Sequence, residues 1–208
     1  LQEMGAANPQ IDGVGAWNQN GGPQQAGPMS LYPFYGFWQA IDANSYVTSR
    51  AAWEPDADPA ELARAWVRRA FGPDPAVVEP LTELLFLSRQ AALQGLYISP
   101  FAGQQVRGLG LELTPQMWVF EWDIVDGSSA VLSSVYLTVK DDVEAAIAEG
   151  FEAVALVGQM QQLADSVDRT TVSDPALLDT LAASLDYEHD LFETLAWYRS
   201  AFLRYYQW

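Results

Sequence analysis

An all-α fold, five to six packed helices behind an irregular Gly/Pro/Asn-rich N-terminal segment, is predicted by three observations on this 208-residue sequence. Apolar residues recur at helical spacing through most of the chain after residue 30. Asp-Pro pairs head three of these repeats, at Asp58-Pro59, Asp74-Pro75 and Asp174-Pro175. There the Asp can accept free backbone N–H groups and the Pro suits a first helical turn. A composition 50% hydrophobic and 12% aromatic supplies enough apolar surface for a packed core. The three starts are unequally spaced, so they are punctuation and not an internal repeat.

Taken in order, residues 1–30 are dense in Gly, Pro, Asn and Gln and read as a loop with one short strand at "IDGVGAW". The helical domain is expected over 31–208. Ser30 caps a first helix reaching Ala52, with Leu31, Phe34, Tyr35, Trp38 and Ile41 on one face, continued by the polar Asp42 and Ser45. The second helix opens at "DPAE", where Asp58 and Glu61 resemble a capping box, and it ends at Gly72, a candidate left-handed cap. A third spans Pro75 to Ile98, burying Val78, Leu81, Leu85 and Ala92 and keeping Pro80 near its first turns. After the Gly-rich "SPFAGQQVRGLGLELTP" come the block "MWVFEWD", a helix from Ser128 to Val139, and another from Asp141 to Val167. The last helix runs from Asp174 towards Trp208, about 50 Å at 1.5 Å per residue, with Leu178, Leu181, Leu185, Phe192, Leu195 and Phe202 inward.

The balance of 10 Lys plus Arg against 27 Asp plus Glu gives a net charge of -17, which repels phosphate backbones and anionic lipid. Nucleic-acid and membrane partners are therefore not expected. The absence of Cys excludes disulfides and thiolate chemistry and leaves the compartment open, cytoplasmic or exported. No apolar run approaches the ~20 residues of a membrane helix. The chain starts at Leu1 with its first Met at Met4, so a removed leader or a longer parent protein is expected.

Phosphate loops, GxGxxG, GxSxG and HExxH are all missing. His189 is the single His, set between Glu188 and Asp190 inside the last helix, and is read as structural or solvated. Two patches suit sugars, because aromatic faces stack on pyranose C–H faces while carboxylates and amides take hydroxyl hydrogen bonds. One is Trp118, Glu121 and Trp122 within "MWVFEWD". As a strand the block would put Glu121 and Asp123 opposite its rings, and as a helix it would gather Trp118, Glu121 and Trp122. The other is Trp17, Asn18, Gln19 and Asn20 beside glycines, with Trp38, Gln39, Asp42 and Asn44 as an extension. Both patches have a structural reading as well, rings packed on a core and amides making turns. No catalytic residue, metal site or cofactor is assigned.

"ANSYVTSRAAWEPD", Ala43 to Asp56, followed by "PAELARAWVRRAFG" and "DPAVVEPLTELL", resembles the start of the carboxy-terminal helical domain of glycoside hydrolase family 67 α-glucuronidases. Ala43, Asn44, Tyr46, Arg50, Ala52, Trp53, Pro55 and Asp56 carry the resemblance, and Ala63, Trp66, Phe71 and Gly72 continue it; in all it covers roughly residues 11–95. The resemblance implies a modular enzyme in which a (β/α) barrel holds the catalytic carboxylates and this domain supports it and helps to form a homodimer. Those acids would precede Leu1, residues 1–30 would close the barrel, and Trp17 to Asn20 would border the substrate. The implied partner is a carbohydrate, reached through the parent enzyme. Beyond Phe101 the family's aromatic-rich terminal pattern is not found.

Overall fold

The computed structural model describes residues 8, 10, 38–103 and 130–208. All regular structure among them is helical, as the sequence predicts. The helices are α1 (Trp38–Trp53), α2 (Pro59–Phe71), α3 (Pro75–Leu96), α4 (Ala130–Val139), α5 (Val143–Asp165) and α6 (Pro175–Gln207), with a further helical turn at 99–103. None of these helices is long and apolar enough to cross a membrane. The strand expected at "IDGVGAW" and the first helix's start at Ser30 lie outside the described residues.

The Asp-Pro punctuation works as its chemistry predicts. Asp58 Oδ1 accepts from Ala60 N at 2.9 Å, Asp74 Oδ1 from Ala76 N at 2.9 Å, and Asp174 Oδ1 from Ala176 N at 3.0 Å. Each satisfies one donor that a helix N-terminus leaves orphaned. Glu61 does not complete a capping box; its Oε1 takes a hydrogen bond from Arg64 Nη1 at 2.9 Å. Gly72 has φ 114° and ψ 165°, so the end of α2 is not the left-handed cap expected but an extended positive-φ turn nearly reserved for glycine. The turn lets Ser173 N donate to Phe71 O at 2.8 Å, and a Cβ on Gly72 would lie 2.8 Å from Ser173 Oγ.

The chain divides into two compact units. The first comprises Leu1–Leu85 and Leu163–Ser184. Its core is built on α2, whose Leu62, Trp66, Val67 and Phe71 are buried together with Val78 and Leu81 of α3. Trp66 meets Phe71 edge-on at 5.9 Å and donates its indole N–H to Asp42 of α1 at 2.9 Å. Trp53, one of the residues that carry the family resemblance, is 83% exposed. It is the last residue of α1, ten positions beyond the buried Ala43 and therefore about 80° round the helix from it. The chain turns away at once through Glu54 N to Arg50 O, 2.8 Å, and Ala57 N to Glu54 O, 3.0 Å. Ala52 is exposed for the same reason.

The second unit comprises Phe86–Gln162 and Leu185–Trp208. Along α6 the buried positions Leu185, Glu188, Phe192, Leu195, Arg199 and Phe202 alternate by three and four, the spacing of a helix packed along one seam. A Cβ on Gly95 of α3 would come within 2.6 Å of the Phe192 ring, so glycine is what lets α3 and α6 approach there. Most of the inward residues predicted for the last helix are buried; Leu181 is half-buried.

Candidate functional site

Trp17, Asn18, Asn20, Trp118, Glu121 and Trp122, the residues singled out from the sequence for sugar contacts, lie outside the described residues, as do Gln19 and Asp123. Of their proposed extension, Asn44 is exposed on α1 and Asp42 is engaged by the Trp66 indole, which makes Asp42 a packing partner of the first unit's core.

The second unit contains a groove of about 610 Å³ that no sequence motif announced. Gln94 and Ser99 line it where α3 ends, Thr138 and Asp141 where α4 gives way to α5, and Glu149 and Glu152 along α5. Its wall is held by Arg199, which has no exposed side-chain surface. The guanidinium donates from Nη2 to the carbonyls of Gln94 at 2.8 Å, Tyr97 at 2.9 Å and Gly95 at 3.4 Å. From Nη1 it donates to Ala146 O at 3.1 Å and Glu149 Oε2 at 3.3 Å. The carbonyls of Gln94 and Gly95 belong to the last turn of α3, where a helix leaves acceptors unpaired and its dipole is negative, so a buried cation both caps and neutralises that end. Burial pulls the Arg199 pKa down to about 10, with Glu149 opposing, and the group stays cationic at neutral pH.

Glu149 works from the other side. Its carboxylate accepts from Ser99 N at 3.2 Å and from Ser99 Oγ, capping the helical turn at 99–103, while holding Arg199. Gln94 Nε2 donates to Glu152 at 3.1 Å, and the amide oxygen of Gln94 is buried with no hydrogen-bond donor among the described residues. The groove therefore presents acceptors, and Glu149, its most embedded carboxylate, is engaged by Ser99 and Arg199. The sequence signal for this site was a charged residue on an apolar seam, at Arg199 and again at Glu188. Glu188 is 8% exposed, and burial pushes its carboxyl up to about 7.

His189 stands beside that seam, half-buried, with Nδ1 3.9 Å from Asp190 Oδ1. One ligand atom each from His189, Asp190 and Glu193 lie within 4.8 Å of one another, the grouping among the described residues with donors suited to a metal ion. All three come from one helix and two are exposed, so water competes for any ion there. One turn further on, Trp197 is 59% exposed, and Phe151 of α5 meets it edge-on at 4.9 Å.

A sequence model described as the glycosyl hydrolase family 67 C-terminus matches residues 39–116. That span takes in α1 from its second residue, all of α2 and α3, and the helical turn at 99–103. The match bears out the resemblance carried by Ala43 to Asp56 and its continuation through Gly72. No curated protein and no solved structure matches the chain.

Proposed function

We propose that this chain is the non-catalytic carboxy-terminal helical portion of a carbohydrate-active, α-glucuronidase-like glycoside hydrolase. It supports a catalytic barrel encoded upstream, borders the substrate site and takes part in homodimer contacts. The observation that carries this reading is what the matched residues do. Asp58 caps α2, Trp66 fills the first unit's core against Asp42, and Gly72 shapes the turn after α2. They are framework, the role expected of a segment whose chemistry resides elsewhere. A second reading, a free-standing sugar-binding or protein-interaction module, is favoured by the open indole of Trp197 beside Glu193.

The test is hydrolysis of aryl glucuronides and neutral aryl glycosides by the isolated chain and by the product of its full parent reading frame. The proposal expects activity from the full product alone. Turnover by the isolated chain that disappears in Glu121→Gln or Asp123→Asn would overturn it. A full product without barrel-like strand and helix alternation upstream would favour the second reading.

A further inference from the structure

The outward face of α6 in the second unit brings together exposed rings and carboxylates that take no part in the framework contacts of the matched residues. With Trp197 as origin and 100° per residue, Asp190, Glu193, Ala201, Arg204 and Tyr205 fall within a sector of about 120°. All five are exposed, Tyr205 at 75% of its surface, and so is Trp197 at 59%. We infer that this face is a binding surface for a neutral polysaccharide, with Trp197 as its stacking platform, Tyr205 as a second ring, and Glu193 and Asp190 as hydroxyl acceptors. The inference deepens the carbohydrate-active reading and rests on it for the class of ligand.

Three observations carry it. First, both rings are held. Phe151 braces Trp197 edge-on at 79°, and Tyr206 meets Tyr205 edge-on at 5.6 Å while stacking on Tyr136 at 5.7 Å. A ring already oriented loses little freedom on stacking, so more of the contact appears as affinity. Second, stacking and hydrogen-bonding groups share one face: Glu193 precedes Trp197 by four residues, the spacing at which helix side chains are neighbours. A pyranose offers an indole its C–H face while its hydroxyls donate to the carboxylates. Trp197 and Tyr205 are eight residues apart, about 12 Å along the axis, which asks for a ligand longer than a single sugar. Third, charge selects the occupant. Glu193 and Asp190 would meet their own counterparts across a two-fold contact at this face, and they repel a polyuronate or nucleic acid, but not an uncharged glycan. Ala201 adds no bulk between the rings, and Arg204 is tied to Glu144 by two bonds of 3.0 Å, so neither crowds the rings.

The experiment is affinity gel electrophoresis of the 208-residue chain in gels carrying hydroxyethyl cellulose, soluble xylan or polygalacturonate, alongside sedimentation velocity over a range of protein concentrations. A neutral polymer should retard the wild-type chain and polygalacturonate should not. Trp197→Ala should weaken retardation about tenfold and Glu193→Gln about threefold, the range of one stacking contact and one hydrogen bond. Trp53→Ala removes a more open indole from the other unit and should change nothing. Each variant is a surface substitution, so circular dichroism should match the wild type. The inference is overturned by any of three results: no retardation by either neutral polymer, equal loss in Trp53→Ala, or self-association that Trp197→Ala abolishes. None of these bears on where hydrolysis occurs, and hydrolysis by the isolated chain would leave the polysaccharide surface intact while removing the non-catalytic role.

Discussion

Replacing Arg199 with Met should be among the most damaging single changes in the second unit. The guanidinium is fully buried and is shared by four backbone carbonyls and the Glu149 carboxylate. Met fills a similar volume without a donor, so the packing loss is small and the cost is electrostatic. Removing one member of a buried ion pair costs about 3–5 kcal/mol when the survivor is left uncompensated. Here the survivor is partly compensated, because Ser99 still donates twice to Glu149, which lowers that figure towards 2. The last carbonyls of α3 then lose their donor and the cation at its negative end, adding about 1–3 kcal/mol. A total loss of about 4 kcal/mol in guanidinium chloride unfolding is therefore expected. Arg199→Lys keeps the charge but not the fork that spans Ala146 and the end of α3, and should lose about half as much. Hydrogen exchange supplies a local readout: the Ala102 amide, which donates to Ile98 O at 2.9 Å, should lose protection in Arg199→Met. Adding Glu149→Gln to Arg199→Met should cost less than the sum of the single changes, because the charge left unpaired is then gone. A loss below about 1 kcal/mol for Arg199→Met, at unchanged denaturant slope, would refute this account of the groove wall.

Two further outcomes are expected. The Glu188 carboxyl titrates at about 7 in the fold against 4.5 ordinarily, so its contribution is full below about 4.5 and lost as pH rises through 7. Stability should fall over that window by on the order of 3 kcal/mol, and Glu188→Gln should abolish the fall; identical pH dependence of urea unfolding in both proteins would contradict it. Trp66→Ala should cost about 3–5 kcal/mol in the same assay while Trp53→Ala stays within about 0.5, and the reverse order would mean the two indoles had been assigned to the wrong environments.

What could be read in the sequence is what local chemistry decides. Asp58, Asp74 and Asp174 sit within two residues of the amides they cap, so the helix starts were legible from dipeptides. The fate of Trp53 was not, because α1 alone cannot say whether the chain will fold back over its last residue or turn away from it. Distance in sequence hid the groove more completely: Arg199 meets Glu149 across 50 residues and Tyr97 across 102. No window of helical periodicity holds both partners. The clue that did exist was an anomaly of type. Glu188 and Arg199 occupy inward positions of α6 otherwise filled by Leu and Phe, and a charge there must be paired, capped or protonated. The fold answers differently at the two places. Arg199 is paired and caps a helix, while Glu188 has no hydrogen bond or ion pair among the described residues, and burial holds its carboxyl near neutrality. Two charges of opposite sign eleven residues apart on one seam thus have opposite effects: one fastens the second unit at every ordinary pH, and the other loosens it as pH passes through neutrality.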